Sequence, residues 1–410
     1  MSTQLPLQVR FLKRYARHLH SAGVPAHQFE RMMTSLADKL GFNCQVLSSP
    51  TAVFLSFQYQ DDDEDHRPIP MQLLRLSSPS INLGNTSELY RLGNEVVDGE
   101  IGAEQAYEQL RGWTPRQLYP TWLQVVCWGL SGGSVAVMLG ASWAGIATAA
   151  ISGMFIGILV TLASDTLREG GLEAIAALLS TFLVFTLNHV VPGINVFVVI
   201  MSSLIVLIPG LGLAIAVNEL STDQLASGSA RLAGALVTLL KLSLGVLIGT
   251  VFIKWLGWTV VQESQVYLAS PPDWVRWPAL VLASFSFAVL FSVRKREFVI
   301  AMLAAIISYV ISRLGVAAGG LEFGVLLASM SIAVLANLYG RLFKQPGALI
   351  RVPGIILLVP GTIGYSGVTA LFLDDGAGLT DTTLLAFRLV ISLVGGLLFG
   401  NVLVPPRRGH

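Results

Sequence analysis

The sequence predicts a polytopic α-helical membrane protein, in which a small cytoplasmic α+β domain precedes ten transmembrane helices arranged as two inverted five-helix repeats. Of the 410 residues, 53% are hydrophobic and only 12% are charged, about half the charged share of an ordinary soluble domain. The mean hydropathy is +0.67. These values indicate the membrane region, and a Pro-Gly pair that recurs after 151 residues predicts the repeats.

The charged residues are distributed unevenly along the chain. Residues 1–120 carry 24 of the 51, whereas the 290 residues that follow carry 27. A conventional domain over 1–120 is therefore expected before a charge-poor membrane region. No apolar segment follows the basic residues near the N-terminus, so we expect no signal peptide and a cytoplasmic location for this domain.

Composition also excludes several classes of protein. The net charge is +1 and no basic block is present, so a nucleic-acid-binding role has no electrostatic basis. The cysteines, Cys44 and Cys127, are too few and too far apart for a metal site or a disulfide framework. We expect no cofactor and no bound metal.

Hydrophobic periodicity predicts the elements of the first domain. The predicted helices span 6–22, 26–40, 88–99 and 103–112, and the predicted strands span 42–49, 51–59 and 69–77. The acidic run at 61–65 lacks the glycine and glutamate of a calcium loop, so a solvated surface turn is expected there.

Ten apolar segments follow, each long enough to cross a hydrocarbon core of about 30 Å. They span 122–140, 143–163, 173–191, 194–217, 231–256, 276–293, 298–315, 321–340, 349–371 and 383–404. Helices are expected, because a spanning segment must satisfy its own backbone hydrogen bonds. The predicted division is a first five-helix repeat over 121–257 and a second over 273–405.

The distribution of basic residues supports this count of spans. If the first domain is cytoplasmic, the connections on its side carry ten Lys or Arg residues and the opposite connections carry three. This bias follows the positive-inside rule. It predicts a multi-pass membrane protein with both termini in the cytoplasm.

The fourth and ninth segments share an internal interruption. Pro209-Gly210 and Pro360-Gly361 are 151 residues apart, and the same offset relates the pair Gly245 and Gly249 to the pair Gly396 and Gly400. Because five is an odd number of spans, the second copy must cross the membrane in the opposite sense. Inverted repeats of this kind are common in secondary transporters.

The two interruptions are the candidate substrate site. Proline removes a helix hydrogen bond, and a broken membrane helix is tolerated where protein or a water-filled cavity satisfies its backbone groups. Exposed amides can then bind a carboxylate and exposed carbonyls an ammonium. The alternative interpretation is a simple kink. We interpret the paired glycines as sites of close helix packing.

Charged residues inside the apolar segments add further candidates, because an ionisable group there costs about 2.5 kcal/mol or more. Lys241 is predicted to bind a substrate carboxylate, as is Arg388 unless it only extends to the membrane interface. Glu219 and Asp223 are candidates for gating or proton relay, although a solvated loop is the alternative for both. His189 has a side chain suited to proton coupling, with a structural role as the alternative.

Long stretches of the chain resemble the threonine/serine exporter family in its fused single-chain form. The matching stretches are 21–42, 48–57, 81–110, 207–231 (LIPGLGLAIAVNELSTDQLASGSAR) and 351–371 (RVPGIILLVPGTIGYSGVTAL). The resemblance implies a ten-helix inner-membrane exporter of small hydroxy amino acids, driven by the proton gradient. The positions that carry over, with Arg231 joining the gating candidates, are Glu30, Pro50, Thr51, Pro209, Gly210, Glu219, Arg231, Pro360 and Gly361. The stretch AIAVNEL departs from the family, which often has a small hydroxyl residue and an aspartate there.

The predicted function is therefore a proton-coupled secondary exporter of threonine or serine that works by alternating access. No ATP-binding or hydrolase motif is present, which makes an ion gradient the natural source of energy. The expected partners are a small amino acid, membrane lipid and protons, and a homo-oligomer is an open possibility. One alternative is a dicarboxylate exporter, which the split two-chain relatives resemble. The other is a membrane enzyme whose first domain hydrolyses a substrate with His27, Glu30 and the Ser-Pro-Thr stretch at 49–51.

Overall fold

A computed structural model describes residues 5–61, 69–77, 79, 81–115, 117–191, 193–257, 269–358 and 379–405. Within these ranges, seven helices are long and apolar enough to cross a membrane. The prediction of a polytopic α-helical membrane protein is confirmed. The count of ten spans, the inverted orientation of the repeats and the domain boundaries stay predictions.

The N-terminal region, residues 5–115, combines four helices with one antiparallel sheet of order β1-β2-β3. Its elements are α1 (Leu7–Ser21), α2 (Ala26–Lys39), β1 (Phe42–Ser49), β2 (Ala52–Tyr59), β3 (Gln72–Arg75), α3 (Leu83–Val97) and α4 (Ala103–Arg111). Alternate residues of β2, among them Val53, Leu55 and Phe57, are buried against apolar residues of α1 and α2. The alternating pattern in the sequence therefore marks the face of the sheet that the helices cover.

The predicted bounds of α3 and β3 were wrong. Helix α3 begins at Leu83, five residues before the predicted start, because the side chain of Asn82 accepts a hydrogen bond from the amide of Asn85 and caps the helix. Gly84, Asn85 and Thr86 are weak helix formers, so local propensity hid this first turn. Strand β3 is shorter than predicted and covers only Gln72–Arg75.

The described residues of the membrane region, within 117–405, are mostly helical. Its helices are α5 (Thr121–Met138), α6 (Trp143–Leu162), α7 (Asp165–Gly170), α8 (Leu172–Val190), α9 (Val196–Ser203), α10 (Gly210–Ser221), α11 (Leu225–Trp255), α12 (Arg276–Leu290), α13 (Phe298–Gly319), α14 (Leu321–Phe343), α15 (Ala348–Ile356) and α16 (Leu379–Leu403). A 3-10 turn at Asp273–Val275 leads into α12. Helix α11 starts six residues before the predicted segment, because its first turn packs on the end of α10.

The fourth predicted segment is two helices rather than one. Helix α9 ends at Ser203 and α10 begins at Gly210, directly after Pro209. The six residues between them form tight turns, in which the Gly210 amide donates to the carbonyl of Ile208 at 2.8 Å. The ninth segment begins with the short helix α15, and Pro360 and Gly361 lie outside the described residues.

The helices of the predicted first repeat (121–257) and of the predicted second repeat (273–405), called the first and second halves below, contact one another in similar patterns. In the first half α8 packs on α6 and α11, and in the second half α14 packs on α13 and α16. Gly245 of α11 lies against the backbone of Ala174 on α8, and Gly396 of α16 lies against the backbone of Leu326 on α14. The glycine pairs thus allow close approach between matching pairs of helices, as their spacing predicts.

The N-terminal region covers one end of the helix bundle. It contacts the connection after α10 through Gln224, the connection between α12 and α13 through Phe291, and the connection between α14 and α15 through Lys344. Pro405 lies at the same end, because its carbonyl accepts hydrogen bonds from Arg341 at the end of α14. These connections are among those that the positive-inside rule assigns to the side of the first domain.

Replacing Gly245 with alanine should destabilise the protein by about 1–3 kcal/mol, the usual cost of overpacking a close contact. The added methyl group meets the backbone carbonyl of Ala174, which has no side-chain freedom with which to move away. Gly234 on the same helix is the matched control, since a Cβ there has no atom within 4 Å. Chemical unfolding of the purified protein in detergent measures both variants. Equal stability of the two would contradict the packing interpretation.

Candidate functional site

The interrupted fourth segment places a helix end at the boundary between the two halves. Helix α10 contacts α11 of its own half and also α15 and α16 of the second half. Its residues Leu211 and Ala214 belong to an apolar cluster formed mainly by α13 to α16. The helix that begins at the break at Pro209-Gly210 therefore contacts both halves.

Three buried serines form a hydrogen-bonded chain that ends at Ser203, where the interruption of the fourth segment begins. The Ser180 hydroxyl on α8 is 3.0 Å from that of Ser152 on α6 and 2.8 Å from that of Ser203, the last residue of α9. All three side chains are buried. Hydroxyl groups both donate and accept hydrogen bonds, so the three serines can exchange the hydrogen bonds between them for hydrogen bonds to a polar solute. Sequence patterns do not single out this cluster, whose only signal is a set of serines inside apolar segments.

Glu219, near the end of α10, is fully buried. Its carboxylate oxygens contact polar groups of the N-terminal region and of α11. One carboxylate oxygen accepts the backbone amide of Ala26 at 2.8 Å, and the other accepts the hydroxyl of Ser227 at 2.8 Å. Arg231 Nε lies 3.0 Å from the second oxygen as an ion pair, without the alignment of a hydrogen bond. The solvated-loop alternative for Glu219 is therefore wrong, because the N-terminal region covers this residue.

The contact between Glu219 and Ala26 is a helix cap supplied by a distant part of the chain. Helix α2 follows Pro25, whose side chain offers no acceptor to the first amides of the helix. The Glu219 carboxylate takes that place and adds a negative charge at the positive end of the helix dipole. The membrane region thus completes a secondary-structure element of the N-terminal region.

Glu30 forms a second polar link beside this cap. Its carboxylate accepts a hydrogen bond from the side chain of Gln224 at 2.8 Å and from the Ser48 amide at 3.3 Å. Burial raises the pKa of Glu30, although both hydrogen bonds act in the opposite direction. Pro50 and Thr51 form the turn between β1 and β2. Of the positions implied by the family resemblance, Glu30, Glu219 and Arg231 thus contribute to one contact surface.

A third link joins α3 to the loop before α13. The Ser87 hydroxyl donates to the Glu297 carboxylate at 2.6 Å, while the other carboxylate oxygen is buried and has no partner among the described residues. Burial raises the pKa of Glu297, against the lowering effects of Ser87, Arg294 and Arg296. Gly84 fits here because a Cβ would lie 2.5 Å from the backbone oxygen of Ser292. Sequence patterns did not single out Glu297.

The remaining predicted site residues lie outside the contact surface of the N-terminal region, either in ion pairs between helices of one half or at exposed helix ends. Lys241 pairs with Glu173 on α8 at 3.4 Å, and Arg388 pairs with Glu322 on α14 at 3.9 Å. Each pair thus links neighbouring helices of one half. Asp223 is exposed in the turn after α10 with φ 60°, a backbone conformation that aspartate tolerates, and His189 is exposed in the last turn of α8.

Replacing Glu219 with alanine should cost about 3–5 kcal/mol, because it leaves Arg231 without its buried counter-ion. The double variant with Arg231→Met should lose less stability than the single variant, since no charge is then left unpaired. Glu173→Ala breaks a more exposed ion pair and is expected to cost about 1 kcal/mol or less. Chemical unfolding in detergent compares the three, and a loss for Glu219→Ala no larger than that for Glu173→Ala would contradict this role.

Stability should fall as the pH rises through the raised pKa of Glu297. A carboxyl group whose pKa is higher in the folded protein than its ordinary value of 4.5 contributes stability below that value and loses it at higher pH. Glu297→Gln removes this dependence and should flatten the profile between pH 4 and pH 8, as melting temperatures will measure. The control Glu104→Gln removes the same charge from an exposed site on α4. Identical slopes for the wild type and Glu297→Gln would rule out this origin.

Comparison with known proteins gives two family matches that together cover most of the chain. A family described as "Putative threonine/serine exporter" matches residues 10–253, and one described as "Threonine/Serine exporter" matches residues 278–403. The first covers the N-terminal region and the broken fourth segment, and the second covers α12 to α16. No solved structure matches this chain.

The curated relatives include fungal proteins named pheromone-regulated membrane protein 10. The Saccharomyces cerevisiae protein is 25% identical over 345 residues, which cover 82% of this chain and 44% of the relative. The Kluyveromyces lactis protein is 24% identical over 343 residues, covering 82% and 35%. This chain thus spans less than half the length of either relative. With both halves matched in one polypeptide, the chain belongs to the threonine/serine exporter family in its fused single-chain form.

Proposed function

We propose that this protein is a secondary active exporter that moves threonine and serine across the membrane by alternating access. The single observation that carries the proposal is the break at Pro209-Gly210, because the helix that begins there contacts both halves. The three buried serines end at Ser203, six residues before Pro209. We propose that a substrate binds their hydroxyl groups and the amides that follow Gly210 in the first turn of α10. Such amides favour a carboxylate. The pair Pro360-Gly361 is proposed as the symmetry-related part of the site.

The serine chain suits a substrate that carries its own hydroxyl. Threonine and serine present a hydroxyl, an ammonium and a carboxylate, and each needs a partner inside the membrane because an unsatisfied polar group is costly there. The hydroxyls of Ser152, Ser180 and Ser203 supply both donors and acceptors. The predicted substrate contacts of Lys241 and Arg388 stay predictions, as both residues already have carboxylate partners.

We propose that protons drive export and that the contact surface of the N-terminal region responds to them. Glu30 and Glu297 are carboxyl groups whose pKa values burial raises, so both bind a proton more readily than exposed glutamates. Glu219 and Arg231 join α10 to α11 and to the N-terminal region, which makes the pair suited to gating. Asp223 and His189 remain candidates for a proton path.

The proposed location is a bacterial inner membrane, with both termini in the cytoplasm. The distribution of basic residues supports that side for the N-terminal region. The contacts of Lys344 and Arg341 support a common side for the N-terminal region and Pro405. Association into a homo-oligomer stays a prediction.

Dicarboxylate export is the alternative within the same transport class, and substrate counterflow separates the two. A hydrolytic N-terminal region is the other alternative. It receives little support from the geometry, because the Ser49 hydroxyl donates to the carbonyl of Ala52 and Glu30 accepts bonds from Gln224 and Ser48. Among the described residues of the N-terminal region around Glu30 and positions 49–51, no nucleophile is hydrogen-bonded to a base.

Replacing Ser180 with alanine should reduce threonine counterflow in proteoliposomes about tenfold, which corresponds to the loss of one hydrogen bond of about 1.4 kcal/mol. Ser331→Ala is the matched control, because this hydroxyl bonds to the carbonyl of Leu327 within its own helix. The melting temperature of each variant separates a folding defect from a transport defect.

The same proteoliposomes test substrate and coupling. Labelled threonine and serine should exchange, succinate should not, and dissipating the proton gradient should abolish net transport while counterflow continues. Exchange of succinate alone would favour the dicarboxylate alternative. Normal threonine exchange by Ser180→Ala would remove the serine chain from the site.

A further inference from the structure

The sheet of the N-terminal region packs one face on α1 and α2 and leaves the other face largely exposed. Side chains alternate between the two faces along each strand, and the strand pairing places Leu47, Phe54 and Leu73 in one row across the exposed face. These three residues, the outer apolar row, are 53%, 37% and 58% exposed. Contiguous exposed apolar residues mark a contact surface, whereas single ones need no explanation.

The outer apolar row lies near one end of the sheet, close to the turn between β1 and β2. Farther from that turn the exposed face is polar, and its residues there are Asn43, Gln45, Ser56 and Gln58. At the level of the turn, the exposed Arg75 is opposite Ala52. None of the three strands contains an acidic residue. The exposed face is therefore apolar and positively charged near the turn, and polar and uncharged at its other end.

The apolar end of this face adjoins the membrane region. Ser48, the neighbour of Leu47, donates its amide to the Glu30 carboxylate. The same carboxylate accepts a hydrogen bond from the side chain of Gln224, the residue before α11. Strand β1 also contacts α11 itself. The turn between β1 and β2 therefore lies beside the start of α11.

The length of α11 indicates where the membrane surface lies. Its 31 residues span about 46 Å, whereas the hydrocarbon core of a bilayer is about 30 Å thick. Trp255, at the far end of the helix, is 79% exposed, as is typical of a residue at the membrane interface. The excess length therefore lies at the start of the helix, which places the turn between β1 and β2 at the level of the lipid headgroups.

We propose that the exposed face of the sheet contacts the surface of the bilayer that α11 crosses, with the outer apolar row among the headgroups and Arg75 bound to anionic phospholipid. Apolar side chains beside a basic residue are the usual composition of an interfacial membrane contact. Acidic residues would be repelled by anionic lipid, and the strands have none. A second copy of the chain would not require the apolar end of the face to be the one beside α11. The proposal does not depend on which molecule the protein transports.

Contact with lipid gives the N-terminal region a second attachment. Hydrogen bonds to Glu219 and Glu297 attach α2 and α3 to the helix bundle, and the bilayer surface supports the sheet. Pro50 and Thr51, two positions implied by the family resemblance, form the turn at this boundary. Movement of the N-terminal region away from the bundle would also remove the outer apolar row from the headgroups. Lipid composition would therefore influence how firmly the N-terminal region is attached.

Site-specific fluorescence quenching in the full-length protein tests this contact. In a background of Cys44→Ser and Cys127→Ala, the substitution Leu73→Cys carries the fluorophore NBD, and the protein is reconstituted into liposomes that contain nitroxide-labelled phospholipid. The probe should lose most of its fluorescence, because a nitroxide quenches only at short range. Gln58→Cys is the matched control, since it lies on the same exposed face about 13 Å farther from the turn than Phe54, the partner of Leu73. A probe there should keep most of its fluorescence.

The added substitution Arg75→Gln measures the electrostatic part of the contact. In liposomes with anionic phospholipid it should weaken quenching of the probe at position 73, and in purely zwitterionic liposomes it should have no effect. Arg17→Gln removes the same charge from an exposed position on α1 and should leave quenching unchanged in both.

Two outcomes would overturn the membrane contact. One is equal quenching at positions 58 and 73, and the other is no quenching at position 73. If the emission of that probe instead changes with the ratio of protein to lipid, the face is covered by a second copy of the chain. Equal quenching with and without Arg75→Gln in anionic liposomes would overturn the assignment to anionic phospholipid. Because no transport is measured, these outcomes leave the proposed export function to be judged by counterflow alone.

Discussion

Burial of the Glu219 carboxylate is the constraint on which the arrangement of the two regions depends. A charge removed from water is tolerated only when counter-charge and hydrogen bonds replace its hydration. Here the replacements come from the amide of Ala26, the hydroxyl of Ser227 and the guanidinium of Arg231. The carboxylate is fully satisfied only while the N-terminal region covers it. Detachment of that region must therefore be accompanied by hydration of Glu219.

Helix α10 connects this constraint to the membrane interior. It begins at the break after Pro209 and contains Glu219 two residues before its last residue, so one twelve-residue helix links the two features. A change in the backbone at the break will move the carboxylate relative to α2. Helix α15 has a comparable position in the second half, since it contains Arg351 and contacts both α10 and α3. The N-terminal region thus contacts α10 and α15, the short helices that follow the interruption in the fourth segment and begin the ninth segment.

Polar groups inside the membrane region fall into two kinds. Ion pairs such as Lys241 with Glu173 and Arg388 with Glu322 join adjacent helices within one half and remain partly exposed. The hydrogen-bonded serines Ser152, Ser180 and Ser203 are buried and join three helices, the last of which ends where the interruption before Pro209 begins. Neutral hydroxyls cost less to bury than charges and exchange partners easily. They are accordingly better suited to bind a polar substrate and release it again.

Local chemistry in the sequence determined most helices, the three strands, the break at Pro209 and the close contacts of Gly245 and Gly396. Proline and glycine act on the backbone where they stand, and periodicity reports which face of an element is buried. Only the tertiary structure decided that Glu219 caps a helix almost two hundred residues away, that Ser180 bridges two other helices, and that Arg351 has no carboxylate partner among the described residues. Such relations depend on which helices become neighbours. Since packing between distant segments sets the surroundings of a side chain, its residue type alone does not specify them.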